Sequence, residues 1–314
     1  MTNDTPTLKL DRVTKRFDEF TAVSELSLSV RSGRIFGLLG PNGAGKTTTI
    51  RMMVNITAPD EGTVELFGQT MNSELQNRIG YLPEERGLYK KMRIGEQLRF
   101  FGALKGVKGR KGEEIIDRWL ARVKLSDWKN RKADELSKGM QQKVQFIATV
   151  MHDPDLLILD EPFSGLDPKN VDLLEEIVLE LKAAGKTIIF STHMMAQAER
   201  LCDDICLINR SRKVLDGSLR ELKRSFGRNA VALRIEGGDT NALQDSALVA
   251  KVIQRSDEME ALLAEGADAQ ELLRRLVAGG AQITKFELIE PSLHDIFITK
   301  VDETDGQASS DHQA

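Results

Sequence analysis

The stretch Gly40-Pro-Asn-Gly-Ala-Gly-Lys-Thr47 constrains the fold of this chain more than any other segment. It has the form GxxxxGK[ST] and lies between the apolar run Ile35–Leu39 and a segment, Thr48–Met53, that contains no helix breaker. That context predicts a strand, a glycine loop and a helix, which is the local structure of a loop that binds phosphate. A chance glycine turn before a helix is the alternative, and the flanking strand and helix patterns argue against it.

The residue types of this loop suit a triphosphate bound with Mg²⁺. Glycine permits the backbone angles that turn several N–H groups toward one anion, and the start of the following helix adds partial positive charge. Lys46 is placed to pair with the β- and γ-phosphates, and the hydroxyl of Thr47 to bind Mg²⁺. The predicted nucleotide-binding residues of the loop are Gly40, Pro41, Asn42, Gly43, Ala44, Gly45, Lys46, Thr47 and Thr48.

Two carboxylates follow an apolar run later in the chain. Four apolar residues in a row within 155–160 predict a strand buried on both faces of a parallel sheet. Ligands of such sheets bind at the carboxyl ends of the strands, where Asp160 and Glu161 stand. Asp160 can hold Mg²⁺ directly or through water, and Glu161 can accept a proton from an attacking water. An acidic turn is the alternative, which is common for one carboxylate but not for a pair downstream of a phosphate loop.

A histidine ends the next apolar run. Residues 185–192 predict another buried strand, which brings His193 to the same sheet edge as Asp160 and Glu161. A lone histidine is more often structural than catalytic, but this position favours a catalytic role.

Composition limits the classes of function. A length of 314 residues favours two domains. The net charge of −4 lacks the basic footprint of a nucleic-acid-binding protein, so we expect no nucleic-acid partner. No apolar run approaches the length of a membrane span, and the polar N-terminus is unlike a signal peptide. Two cysteines, Cys202 and Cys206, suit buried thiols in a reducing cytoplasm.

The remaining segments before residue 222 predict strands and a helical region. The alternating runs 8–13 and 26–30 predict half-buried antiparallel strands. Phe17, between them, could pack in the core or stack on a base. From about 90 to 132 the pattern is helical, with Ile115, Trp119 and Val123 on one face. The basic loop within it, residues 105–112, is interpreted as a solvated surface, with contact to lipid headgroups as the alternative.

The composition changes after about residue 227. Strand-like runs at 230–235 and 282–289 flank a helical run at 269–277, and a further helix begins near Pro291. This predicts a small α+β domain without a recognisable catalytic set. Residues 302–314 contain four acidic groups and few apolar ones, so we expect a disordered tail. The predicted domains are 1–222, with a helical subdomain at about 85–140, then 223–301 and the tail 302–314.

Together these residues resemble the ATP-binding subunit of an ABC transporter from about Leu8 to Leu222. The motifs of that family match in chain order: Phe17 the aromatic that stacks on adenine, Gly40–Thr47 the Walker A loop, Leu136–Met140 the LSGGQ signature, Asp155–Asp160 the Walker B strand, Glu161 the catalytic glutamate, Ser164–Asp167 the D-loop and His193 the switch histidine.

The chain departs from the family pattern at two places. Glu84 stands where the family has the Q-loop glutamine; its carboxylate can still reach Mg²⁺ but brings a negative charge. The signature has Lys138 in place of glycine and Met140 in place of glutamine. Ser137 and Gly139 are kept, and they resemble the residues that touch the γ-phosphate of ATP bound to the opposite subunit.

The resemblance implies an α/β P-loop NTPase cassette with a mixed core sheet, an antiparallel β subdomain and a helical subdomain. The ending Pro291–Phe297 resembles the C-terminal accessory domain of exporter-type ATPases, including those for sodium and antibiotic efflux. The implied cofactors are ATP and Mg²⁺.

The implied activity is ATP hydrolysis that powers an exporter. ATP would close a head-to-tail pair of ATP-binding subunits, identical or homologous, and region 90–135 would press on a transmembrane permease. The chain would then be cytoplasmic, peripheral on the cytoplasmic face of the cell membrane. The alternative is a non-transport ABC ATPase acting on the ribosome or DNA. Such proteins usually carry two cassettes or a long coiled-coil insertion, and neither is present here.

Overall fold

The computed structural model describes residues 6–70, 72–85, 87–226, 230–254, 258–264 and 266–310, with backbone only for residues 73 and 302–310. The chain divides into two compact units, Met1–Gly217 and Ser218–Ala314. The boundary lies five residues before the one predicted from the sequence, after residue 222.

The first unit contains ten strands and seven α-helices within its described residues. The strands are β1 (Leu8–Phe17), β2 (Phe20–Val30), β3 (Ile35–Leu39), β4 (Glu61–Leu66), β5 (Gln69–Thr70), β6 (Ile79–Leu82), β7 (Leu156–Asp160), β8 (Thr187–Thr192), β9 (Asp204–Asn209) and β10 (Arg212–Ser218). The helices are α1 (Lys46–Met53), α2 (Ser73–Gln76), α3 (Ile94–Leu104), α4 (Gly109–Arg122), α5 (Lys138–Val150), α6 (Pro168–Ala183) and α7 (Met195–Leu201).

The core sheet has the strand order β10-β9-β3-β8-β7-β6. Strands β9, β3, β8, β7 and β6 run parallel to one another, and every residue of β3, β7 and β8 is buried. Strands covered on both faces need continuous apolar runs, which is the pattern that the sequence shows. The carboxyl ends of β3, β7 and β8 therefore meet at one sheet edge.

A second sheet, β2-β1-β4-β5, is antiparallel and half buried. Leu8, Leu10 and Val13 of β1 point into a core shared with α1 and one face of the core sheet. Burial alternates from Leu8 to Asp11, and a register shift between Leu10 and Val13 then puts Val13 on the buried face as well.

Helices α3, α4 and α5 form a helical module around buried leucine, isoleucine and valine side chains. In α4 the fully buried apolar residues are Ile116 and Leu120, whereas Ile115 and Trp119 are only half buried. The face predicted from Ile115 and Trp119 is therefore a partly exposed border. No helix among the described residues is long and apolar enough to cross a membrane.

The second unit begins with helix α8 (Leu219–Ser225). Its antiparallel sheet has the order β12-β13-β11-β14, and helix α9 packs its buried Leu272 and Leu276 into the core under the sheet. The elements are β11 (Ala230–Gly237), β12 (Val249–Gln254), β13 (Met259–Leu263), α9 (Ala269–Ala278), β14 (Gln282–Ile289) and α10 (Leu293–Ser310).

The C-terminal end of the described chain differs from the expectation. The backbone of 302–310 continues helix α10, where the sequence analysis predicted disorder for 302–314. Between Leu293 and Ser310 the chain has no proline, and a single glycine, Gly306, weakens a helix without ending it. Residues 311–314 lie outside the described residues.

Candidate active site

The glycine loop is held between β3 and α1 by backbone conformations that suit glycine. Gly40, Gly43 and Gly45 all have φ in the left-handed range, at 150°, 79° and 107°. A Cβ on Gly40 would stand 2.1 Å from the carbonyl oxygen of Ile208, and one on Gly45 would stand 2.4 Å from that of Ala22. Gly45 caps α1 without a side-chain acceptor, so the first N–H groups of the helix are left for an anion.

Lys46 is buried within this loop. Its ammonium Nζ donates hydrogen bonds to the carbonyl oxygens of Gly40 at 2.8 Å and Pro41 at 3.2 Å, and it lies 3.9 Å from Oε1 of Glu161. Burial lowers the pKa of Lys46, while the negative charges of Glu161, Asp160 and Glu84 act in the opposite direction. The cation is thus held at the place where a phosphate would meet the loop.

Asp160 ends β7 with no solvent exposure. Its Oδ1 accepts a hydrogen bond from the hydroxyl of Ser191, the residue that pairs with it on β8. Its Oδ2 is buried and has no hydrogen-bond partner within the described part of the chain. A buried carboxylate oxygen without a partner fits a hard cation such as Mg²⁺.

The fit to Mg²⁺ also depends on what the cation takes from the nucleotide. No cluster of three or more metal-binding side chains occurs among the described residues. Mg²⁺ usually combines one or two protein ligands with phosphate oxygens and water, so this site suits a Mg²⁺ that arrives with a nucleotide. Thr47, Asp160 and Glu84 are the residues of this chain that would hold it.

Glu161 follows Asp160 in a left-handed conformation, with φ at 48°. The backbone N–H of Glu161 donates to two oxygens of Ser191, the carbonyl oxygen at 3.3 Å and the hydroxyl oxygen at 3.2 Å. Its carboxylate is mostly buried, and Oε1 lies 2.9 Å from Nδ1 of His193. With the proton on Nδ1, the imidazole donates to the carboxylate and orients it, which leaves Glu161 able to accept a proton from water.

Lys46 and Glu161 line a cavity of about 380 Å³, whereas Asp160 and His193 are not part of its lining; His193 reaches it through its contact with Glu161. The residues that line it are Phe20, Ala22, Asn42, Gly43, Gly45, Lys46, Thr47, Thr48, Glu84 and Glu161. The structure therefore brings most of the predicted loop residues together with Glu84 and Glu161. Gly40 and Pro41 contribute the carbonyl groups that hold Lys46, and Ala44 is buried behind the loop.

Three further predicted residues, Phe17, Ser137 and Gly139, also lie outside this lining. Phe17 is 49% exposed, with Nζ of Lys15 5.5 Å from its ring centroid, and it is Phe20, its partner across the β1–β2 turn, that lines the cavity. Ser137 caps α5 by accepting from the N–H of Met140, and Gly139 lies in the first turn of the same helix.

Sequence reasoning missed Phe20 and Ser191. Phe20 could have been found from its position across the β1–β2 turn from Phe17, because either of two paired rings can face the glycine loop. The parallel pairing of β7 with β8 identifies Ser191, because it places the serine beside Asp160.

A second cavity, of about 370 Å³ and mainly apolar, lies between the core sheet and the helical module. Ile56 and Leu104 on its walls are exposed. Tyr81 also lines it, and burial raises the pKa of this phenol to about 12. The cavity adjoins Pro83, directly before Glu84, so it reaches toward the nucleotide side of the sheet.

Comparisons with known proteins show the family to which the chain belongs. The ABC transporter family matches residues 23–164, and the family described as ATP-binding protein DrrA1-3-like, C-terminal domain, matches residues 217–301. The chain is 46% identical over 294 residues to the ABC transporter ATP-binding protein YhaQ of Bacillus subtilis, covering 94% of this chain and 98% of the relative. It is 37% identical over 277 residues to Nod factor export ATP-binding protein I of Ralstonia nicotianae, covering 87% of this chain and 85% of the relative.

A solved structure of an ATP binding subunit of an ABC transporter aligns with a TM-score of 0.66 and 30% identity, covering 70% of this chain and 93% of that one. A solved structure of a nucleotide-free ATP-binding cassette from an ABC transporter aligns with a TM-score of 0.60 and 26% identity. The predicted cassette fold and the family resemblance are thereby confirmed. This chain belongs to the ATP-binding subunits of ABC transporters.

Proposed function

We propose that this chain hydrolyses ATP to power an ABC exporter whose membrane-spanning part is a separate permease chain. The observation that carries the proposal is the cluster of Lys46, Asp160, Glu161 and His193 at the edge of one sheet, beside the glycine loop. Export is supported by the names of the Nod factor export relatives.

Each residue of the cluster has a distinct task in this proposal. The loop N–H groups and Lys46 bind and orient the phosphates. Mg²⁺, when bound, neutralises phosphate charge, and Thr47, Asp160 and Glu84 are the residues that would hold it. Glu161 accepts the proton of the attacking water, and His193 keeps the carboxylate directed toward that water.

A second ATP-binding subunit, identical or homologous, would complete the site. Ser137 is exposed, and together with Gly139 it lies outside the lining of the cavity that contains Lys46. If these two residues bind a γ-phosphate, that phosphate belongs to ATP held by another chain. Binding of ATP between two chains would then close the pair, and hydrolysis would reopen it.

The apolar cavity between the core sheet and the helical module is the proposed contact with the permease. Exposed apolar side chains such as Ile56 and Leu104 on the rim of a groove suit an apolar protein partner. Through that contact the chain would be held at the cytoplasmic face of the cell membrane.

The test is a mild-detergent pull-down of tagged Glu161→Gln with ATP and Mg²⁺. The amide keeps the shape of the side chain but cannot act as a base, so we expect ATP hydrolysis to fall about 10²- to 10⁴-fold while nucleotide binding is retained. A multi-spanning membrane protein should copurify. The control is Glu161→Gln combined with Lys46→Ala, which should lose nucleotide affinity.

Two outcomes would contradict the proposal. Loss of nucleotide binding in Glu161→Gln would overturn the role given to this carboxylate. Recovery of ribosomes or DNA without a membrane protein would leave ATP hydrolysis standing and overturn transport.

A further inference from the structure

A third cavity, of about 500 Å³, lies between the helical module and Leu181 of α6. Its walls come from the loop between α3 and α4, from one side of α4 and from the end of α5. Val107, Trp119 and Met151 form an apolar floor, and none of the three is exposed. Trp119 is half buried: it packs against the main core of the module and also lines this cavity.

Three exposed cations, Lys108, Lys111 and Arg118, form the rim of this cavity. None of their side chains has an ion-pair or hydrogen-bond partner among the residues that the structure describes. Nearby Arg110, by contrast, pairs with Glu114 at 3.1 Å. The rim cations are therefore available for an outside anion.

No acidic group of the lining neutralises this rim. Asp153 is the one carboxylate among the lining residues, and its Oδ1 lies 2.8 Å from Nζ of Lys186. The chain as a whole carries a net charge of −4, so the excess of positive charge at this rim is a local feature and not a property of the whole protein. The cavity opening is thus a positive patch on a negative protein.

The combination of an apolar floor and a cationic rim selects the chemistry of the ligand. Ammonium and guanidinium groups bind phosphate oxygens, and an apolar floor binds hydrocarbon. Tryptophan, with an apolar body and a polar N–H, favours the boundary between lipid and water. A soluble phosphate would use the rim but leave the floor without a role, and a nucleic acid would not need an enclosed apolar floor.

We propose that this basic cavity, defined by Lys108, Lys111, Arg118 and Trp119, binds the headgroup region of an anionic phospholipid at a membrane surface. The rim holds the phosphate, and the floor takes the adjoining part of an acyl chain. Of the two interpretations of the basic loop 105–112, the cavity beneath it favours contact with lipid. The proposal does not depend on the proposed permease, because the isolated chain carries the whole site.

The experiment measures binding of the full chain, without nucleotide or permease, to two kinds of vesicle. One kind contains phosphatidylglycerol in phosphatidylcholine, and the other contains phosphatidylcholine alone. The test variant is Lys108→Gln, Lys111→Gln and Arg118→Gln together. The matched control is Lys90→Gln, Lys91→Gln and Lys124→Gln, three exposed cations of the same unit outside the lining of this cavity.

We expect the rim variant to lose affinity for anionic vesicles by about fivefold per charge, or about a hundredfold in all, at low ionic strength. The control should lose much less. In a Trp128→Phe background, where Trp119 is the remaining tryptophan, its emission should shift to the blue with anionic vesicles and stay unchanged with phosphatidylcholine.

Three results would overturn the proposal. Equal losses in the rim variant and the control would mean that binding reflects general surface charge. An unchanged Trp119 emission upon binding would place the lipid elsewhere. Full competition by soluble glycerophosphate at low concentration would identify a free phosphate ester, and not a membrane surface, as the ligand.

Discussion

Replacing Ser191 by alanine tests whether the active-site carboxylates depend on the strand beside them. Ser191 is fully buried on β8, and its hydroxyl donates to Oδ1 of Asp160. Because Oδ2 of Asp160 already has no hydrogen-bond partner within the described residues, Ser191→Ala would leave a buried carboxylate without a side-chain donor. We expect the nucleotide-free chain to lose stability.

The size of the loss follows from the two contacts of the hydroxyl. A hydrogen bond to a charged group contributes about 1.5–3 kcal/mol to stability. The second contact, from the N–H of Glu161 at 3.2 Å, adds little because the same N–H also reaches the carbonyl oxygen of Ser191 at 3.3 Å. A loss of about 2–3 kcal/mol corresponds to a fall in Tm of about 4–12 °C for a unit of this size.

The assay is thermal unfolding followed by circular dichroism, with and without Asp160→Asn in a double-mutant cycle. In the Asp160→Asn background the cost of Ser191→Ala should be smaller, because no charge remains to be stabilised. Ser225→Ala, an exposed serine, is the control and should change stability by less than about 0.5 kcal/mol. An unchanged Tm for Ser191→Ala, or equal costs in both backgrounds, would refute the reasoning.

Three further predictions address other parts of the molecule. Because Phe20 lines the cavity, Phe20→Ala should weaken binding of a fluorescent ATP analogue about 5- to 100-fold and more than Phe17→Ala does; the reverse order would restore the stacking role predicted for Phe17. Burial lowers the pKa of His152, so the unfolded chain binds more protons and stability should fall as the pH drops below 6.5; a urea titration at several pH values should show a smaller fall in His152→Gln. Leu272→Ala should destabilise the second unit by about 2–5 kcal/mol in thermal unfolding, while the exposed Val277→Ala should not.

The geometry of the candidate site can be predicted from the sequence because its signals are local. A glycine loop between an apolar strand and a helix allows few other structures, and the apolar runs at 155–160 and 185–192 are long enough to specify strands buried on both faces. Since parallel strands end at a common edge, the meeting of Asp160, Glu161 and His193 follows from these runs.

Other features depend on packing between distant segments. Ile115 and Trp119 of α4 repeat every four residues as regularly as Ile116 and Leu120, and only the position of α3 and α5 decides which pair is buried. Strands β12 and β13 also escaped the sequence analysis, because β12 buries Val249 alone and shows no clear alternation. Register is decided by tertiary contacts, so the partner of Asp160 could not be identified before β7 and β8 were paired.

The charges of the cavity explain how an acidic residue can stand at the position of the family glutamine. Burial lowers the pKa of Lys46, and the carboxylates of Glu161, Asp160 and Glu84 offset part of that effect by stabilising its charged form. Three carboxylates around one buried ammonium leave an excess of negative charge, which opposes a bare triphosphate. A divalent cation that enters with the nucleotide reverses this balance, because each carboxylate then faces a positive partner. We therefore expect nucleotide binding to depend more on Mg²⁺ with Glu84 than in a Glu84→Gln variant, which a nucleotide titration of both proteins with and without Mg²⁺ would measure.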